Sequence, residues 1–212
     1  MPKFYAVVIG REPGVYTDWP TAQKQVSGFK GAIFKSFATR EQAQAFITSS
    51  TAQNTTPDDV FDDTPQAQRT LVYSDGSFKD NACGFGIVAI ISDGTKHTAY
   101  GRVPLAPTNT VAELYAIYAA LSLFPGDMLI RTDSRYSIAC LTSYIHDWLK
   151  VGFQGVANAD LLRAIYPLLQ NRTVTFQHVP AHVGIPLNEE VDKLANEGRL
   201  SQYKLIYDGV AQ

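Results

Sequence analysis

The chain has 212 residues, 45% of them hydrophobic and 18% charged, with a formal net charge of −2. That is the size and balance of one large globular domain, or of a medium domain with a small appendage. No apolar run reaches the ~18 residues of a membrane helix, and MPKFYAVVIG lacks the layout of a signal or transit peptide. The two cysteines, Cys83 and Cys140, have no CxxC partner, which argues against a zinc site and a disulfide framework. The expectation is a protein of a reducing compartment, cytoplasmic or (in a eukaryote) nuclear, with no membrane partner. The charge is unevenly spread. Residues 1–50 hold six Lys/Arg against three Asp/Glu, 51–68 hold four Asp and no base, and 69–212 hold twelve bases against thirteen acids. A basic head, an acidic connector and a near-neutral body form a modular pattern, and the head's positive surplus points to an anionic partner.

Taken in chain order, residues 3–9 (KFYAVVI) read as a strand, and GREPGVYTDW as a Pro-Gly turn followed by a short aromatic strand. TAQKQVSG follows as a short helix starting at Trp19–Thr21, with Pro20 suited to a first helical position. AIFKSF is a third strand. TREQAQAFI is a helix capped by Thr39, with Gln42 completing a capping box. Residues 49–68, rich in Ser, Thr, Asn, Asp and Pro, read as a flexible acidic linker. From Arg69 the pattern becomes three strands by hairpin (TLVYSD, GFGIVAII, HTAYGRV), the strong helix NTVAELYAIYAALSLF, the strand MLIRTD and the helix SRYSIACLTSYIHDWL. A helix disturbed near Pro167, the strand VTFQHV and the helix NEEVDKLANEGRL close the series. This order predicts an α/β fold with a mixed five-stranded sheet flanked by helices, behind a small N-terminal α/β module.

Two apolar strands each end in an aspartate with a serine close behind it: Asp75, then Gly76 and Ser77, in TLVYSDGS, and Asp133, then Ser134, in MLIRTDS. On neighbouring strands these would meet at one sheet edge, where open α/β sheets place ligands. Glu113 borders the packing face of its helix, and Asp192 lies near the front of the last one. Singly, Asp75 is equally a turn residue, Asp133 a helix cap, and Glu113 and Asp192 exposed helix acids. Together they repel unless divalent cations neutralise them, and an all-oxygen donor set favours Mg²⁺ or Mn²⁺ over zinc.

The blocks YSDGS, TVAELYAI, RTDSRY and VPAHVGIPLNEEVDKLA, in that order, resemble the conserved blocks of ribonuclease H type 1 over about residues 69–200. The resemblance implies that Asp75, Glu113, Asp133 and Asp192 bind two Mg²⁺ ions, with Mn²⁺ able to substitute. It gives His182 a part in proton transfer or product release. The implied activity is endonucleolytic hydrolysis of the RNA strand of RNA–DNA hybrids, leaving 5′-phosphate and 3′-hydroxyl ends. Gly76 and Ser77 would read the 2′-hydroxyl, with Glu113 nearby. Asn109 would touch the minor groove, Thr108 and Asn158 a DNA-strand phosphate, and Tyr136, Tyr144 and Trp148 the DNA-strand channel. For these aromatics, core packing is the alternative. His97, His146 and His178 match no role and read as structural or surface residues.

Residues 3–47 resemble the hybrid-binding domain found ahead of many cellular type 1 enzymes. Tyr5, Trp19, Phe34 and Lys35 would then contact an RNA–DNA hybrid, and double-stranded RNA is a further candidate ligand. The chain departs from both patterns. LKVGFQGVANAD holds one lysine where a lysine-rich protrusion is common, and Ala106 stands at a frequent arginine position. Ser36 and Ile33 occupy positions that are often basic. Such changes weaken the electrostatic grip, and a tethered module would restore it by raising local substrate concentration. The expected organisation is a hybrid-binding domain at 1–48, a linker at 49–68, a catalytic domain at 69–200 and a tail without assigned role at 201–212, in a monomer. The alternatives are a non-catalytic hybrid- or double-stranded-RNA-binding protein with a degenerate nuclease domain, and another nuclease of the same fold.

Overall fold

The computed structural model describes residues 3–29, 32–51, 69–181 and 184–211. The chain divides into two compact units, Met1–Asp59 and Val60–Gln212. In the first, β1 (Phe4–Ile9) pairs antiparallel with both β2 (Gly14–Tyr16) and β3 (Ile33–Phe37), in the order β2-β1-β3. Helix α1 (Trp19–Val26) covers one face, where Val7 packs with Ala22 and Val26. Pro20 falls in its first turn as the sequence predicts, while the cap is Asp18, which accepts from the Thr21 amide at 2.8 Å. Helix α2 (Arg40–Thr51) begins with Thr39 Oγ1 accepting from Gln42 N. It runs to Thr51, so residues 49–51, expected to open the linker, continue the helix instead. Residues 52–68 lie outside the described residues.

The second unit carries a sheet in the order β10-β9-β6-β5-β4-β7-β8. Its centre is the five expected strands. β4 (Arg69–Lys79), β5 (Ala82–Ile90) and β6 (Lys96–Arg102) form an antiparallel meander. β7 (Asp127–Thr132) and β8 (Val174–His178) are added parallel beyond β4. Helix α3 (Asn109–Leu123) packs on β4 and β5, and is buried around most of its circumference because α6 (Ala159–Leu168) covers it in turn. Helix α7 (Pro186–Leu200) lies across β4, β5 and β6. On its side of the sheet Leu71, Tyr73, Val88, Val179 and Val191 make a core.

Three details differ from expectation. The single helix read from SRYSIACLTSYIHDWL is α4 (Arg135–Ala139) and α5 (Ile145–Lys150) joined by a π-helical turn, Cys140–Tyr144. Pro167 sits one residue from the end of α6 and leaves the helix intact to Leu168. The tail forms β9 (Ile206–Tyr207) and β10 (Val210–Ala211), and β9 pairs antiparallel with β6. Asp208 and Gly209, both at positive φ, make the turn between them. His97 on β6 clasps this hairpin. Its Nδ1 is 2.7 Å from Asp208 Oδ2, and its ring stacks on Tyr207 at 5.7 Å.

Candidate active site

A backbone feature accounts for the placement of each acid. Asp75 does not end its strand, as the sequence had implied. β4 continues to Lys79 because it is zipped to β5, with Asp75 opposite Gly86. What ends near Asp75 is the neighbour β7, whose last pair with β4 is Tyr73–Arg131. The same register carried two residues further sets Asp133, just beyond β7, alongside Asp75.

Glu113 arrives through Gly76. A Cβ there would lie 2.3 Å from both the Ala112 carbonyl carbon and the Glu113 nitrogen. Only glycine lets the α3 backbone come so near, so α3 takes the room on the side-chain face of Gly76. Asp192 arrives through Gly86. A Cβ on Gly86 would lie 2.5 Å from the Val191 carbonyl oxygen, so the residue before Asp192 rests on the strand position opposite Asp75.

One carboxylate oxygen from each of Asp75, Glu113 and Asp133 lies within 4.8 Å of the others, and Glu113 is buried. Asp192 is near enough to Asp75 to share a hydrogen bond with it. Burial, then the charge of Asp133, then that of Asp192, pushes the Asp75 carboxyl up to about 8, against a smaller lowering by the Gly76 amide. Carboxylates converging at this distance are unfavourable alone and favourable around a hard cation. The donor set is all oxygen, which fits Mg²⁺ or Mn²⁺. The cap of α4 is Ser134, whose Oγ accepts from Ser137 N, so the capping alternative for Asp133 does not hold.

Asp133 has a neighbour that the sequence reads as structural or surface. His178 ends β8 opposite Thr132 and bonds to the Asp133 backbone. Burial, aided by the Arg135 charge, lowers His178 to about 4, so it is neutral at pH 7 and braces the strand end. The signal was present: TVTFQH and MLIRTD are parallel strands that finish side by side. Asn196 was missed because an asparagine inside a helix reads as surface. Its Nδ2 reaches Asp192.

The expected substrate contacts fall into three groups. Thr108 and Asn109 are exposed at the start of α3, where Thr108 Oγ1 is engaged as the helix cap for Val111 N. Asn158 precedes α6 in the left-handed conformation, with its side chain making no capping bond. Ser77 Oγ donates to Asn196 Oδ1 at 2.9 Å, so it faces α7. Among the aromatics, Tyr144 is buried in the π-turn, with its ring 5.4 Å from that of Trp148. Tyr136 is half-buried, and burial raises its hydroxyl, with Cys140 beside it. Trp148 is half-buried as well. In the N-terminal unit Trp19 lies between Tyr5 and Phe34, with ring centroids 5.4 and 5.5 Å away, and Phe34 is exposed. Lys35 does not join that row. Strand alternation turns it to the other face, over the rings of Phe37 and Phe46. His182 lies outside the described residues.

A mixed sheet with converging carboxylates at the end of its central strands defines a protein of ribonuclease H-like architecture. Comparisons with known proteins specify it further. The ribonuclease H family profile matches residues 67–199, and the profile of the ribonuclease H1 N-terminal domain matches 3–47. Ribonuclease H of Schizosaccharomyces pombe is 30% identical, covering 92% of this chain and 96% of that one. Human ribonuclease H1 is 26% identical over 92% of this chain and 88% of its own. Ribonuclease HI of Pseudomonas aeruginosa is 34% identical over 62% of this chain and 93% of its own. A solved structure, LC9-RNase H1, described as a type 1 RNase H with the type 2 active-site motif, shares the fold. Its TM-score is 0.59 at 22% identity, over 68% of this chain and 80% of that one. This chain belongs to the ribonuclease H family of enzymes.

Proposed function

We propose that the chain cleaves the RNA strand of RNA–DNA hybrids endonucleolytically with two Mg²⁺ ions, Mn²⁺ being able to replace them, and leaves 5′-phosphate and 3′-hydroxyl ends. The observation that carries this reading is the convergence of Asp75, Glu113 and Asp133 within 4.8 Å, with Asp192 beside Asp75. These four carboxylates would hold the ions, with Asp75 next to both Asp133 and Asp192. Bound there, the ions supply an activated water and neutralise charge developing on the phosphate. The protein's own part is rigidity: Gly76 and Gly86 fix the helices that carry Glu113 and Asp192, and His178 fixes the Asp133 strand end. The sequence likeness supports His182 as an aid to proton transfer or product release.

Substrate contacts follow from the side chains that are exposed or half-buried near the site. Asn109 and Asn158 are the better candidates for groove and phosphate. Thr108 serves with its backbone, since its hydroxyl caps α3. Trp148 is the better candidate for the DNA-strand channel and Tyr144 its packing support. The N-terminal module binds the hybrid through the Tyr5–Trp19–Phe34 row, with double-stranded RNA as a second ligand, and tethers a monomeric enzyme along one duplex.

A panel of end-labelled RNA–DNA hybrid, single-stranded RNA, double-stranded RNA and duplex DNA, each with Mg²⁺, tests the reading. Internal cuts confined to the RNA strand of the hybrid, with phosphate on the 5′ side of the product, are expected. Cleavage of duplex DNA or trimming from an end points to another nuclease. Binding without cleavage points to a degenerate domain.

A further inference from the structure

Beyond the four acids, a chain of polar groups runs from α7 to β4 and back. Arg199 Nε donates to Ser77 Oγ at 3.2 Å, and Ser77 Oγ donates to Asn196 Oδ1 at 2.9 Å. Asn196 Nδ2 donates to the Asp192 backbone oxygen at 3.0 Å and to its Oδ1 at 3.3 Å. Every donor in this relay points toward Asp192. The reverse orientation would set the Asn196 carbonyl oxygen against the Asp192 carboxylate. It would also leave Ser77 Oγ accepting from two nitrogens with its own proton unused. The carboxylate therefore fixes the sense of the whole chain, and the chain in turn fixes one carboxylate oxygen.

The relay also joins two elements of the site. Ser77 stands two residues beyond Asp75 on the same side of β4, while Asn196 is one helical turn after Asp192. Asp192 lies outside the trio of oxygens that approach within 4.8 Å. It is the acid whose contribution depends most on a local hold.

We propose that Asn196 is a positioning residue for Asp192, held by Ser77 and Arg199, and that it tunes divalent-cation affinity at this edge of the site. The proposal rests on reading Asp192 as a cation ligand. Hydrogen-bonded partners of metal ligands typically change affinity or activity by about 10–100-fold when removed.

The test compares the full chain with Asn196→Ala and Arg199→Met in three measurements: metal-free Tm, Mg²⁺ affinity by calorimetry, and Mg²⁺ dependence of hybrid cleavage. Alanine is the better helix former at position 196, so the fold should persist. The expected result for Asn196→Ala is a roughly 10-fold weaker calorimetric affinity and a matching shift in half-saturating Mg²⁺, with metal-free Tm nearly unchanged. Arg199→Met, one step further along the relay, should give a smaller shift of the same kind. A restoring effect of Asn196→Gln, which keeps the donor on a longer stem, would support the hydrogen bond as the cause. Unchanged Mg²⁺ affinity in Asn196→Ala overturns the proposal, and so does a loss of activity that tracks Tm with Mg²⁺ dependence intact. If the unaltered chain itself binds no Mg²⁺, the functional reading fails and the proposal goes with it.

Discussion

The two units put opposite chemistries to the proposed work. The N-terminal module offers a row of aromatic rings, Tyr5, Trp19 and Phe34, that sits comfortably at a surface and carries no charge. The C-terminal unit concentrates carboxylates in a half-buried corner, where Asp75 is pushed up to about 8. The first is stable as it stands and invites stacking. The second is crowded without a counter-charge, and glycine-enabled helix approaches help to hold it together. Damage to the first should weaken binding by degrees, whereas damage to the second should act on fold, metal and chemistry at once.

The sharpest way to break this contrast is steric. Gly76→Val places a side chain where even a Cβ lies 2.3 Å from the α3 backbone, so α3 must move and carry Glu113 with it. We expect a loss of roughly 3 kcal/mol or more, seen as a large fall in the C-terminal unit's Tm, together with loss of cleavage.

Next is charge. Asp75 keeps its proton in the fold until about 8 but ionises near 3.8 when unfolded. Between those values the folded state binds more protons, so stability is full below about 4 and is lost as pH climbs toward 8. Without metal, Tm should fall by several degrees from pH 5 to pH 8, and Mg²⁺ should raise it more at pH 8 than at pH 5. Asp75→Asn should flatten that dependence. A metal-free Tm that rises steadily over this range would contradict the crowded-acid description.

A graded effect is expected from the other unit. Trp19→Ala removes the centre of the aromatic row, and base–aromatic stacking is worth about 1–3 kcal/mol per base. Hybrid affinity should fall on the order of 10-fold by fluorescence anisotropy, with the turnover rate at saturating substrate unchanged. The smallest effect should come from His97→Ala, which frees the β9–β10 hairpin from its partly exposed hydrogen bond with Asp208 and its stacking on Tyr207. About 1 kcal/mol is expected, read as a Tm shift of a few degrees with cleavage intact.

Much of this was legible in the sequence. Apolar periodicity located the strands and helices, and the aspartates closing two apolar runs, each with a serine close behind, brought Asp75 and Asp133 to one edge. What stayed hidden depends on contacts between elements. A close helix approach leaves no local trace, so nothing in the sequence ties Gly76 to α3, and β4 reads as ending at Asp75, four residues short of Lys79. The π-turn at Cys140–Tyr144 has an ordinary helical pattern. Asn196 carries a meaning only once Ser77 is seen beside it. The tail hairpin had a readable signal, since Asp208-Gly209 is the dipeptide of a tight turn, but its flanking strands are two residues each.

If the gathered carboxylates act through bound cations, cleavage must depend on both. The most direct measurement is cleavage of a labelled RNA–DNA hybrid at pH 8 by the unaltered chain and by Asp75→Asn, each shown to unfold cooperatively, with Mg²⁺ and with chelator. Mg²⁺-dependent cuts in the RNA strand are expected for the unaltered chain, with a loss of about 10³-fold or more in the folded variant. Mg²⁺-dependent cleavage retained by Asp75→Asn would contradict that dependence.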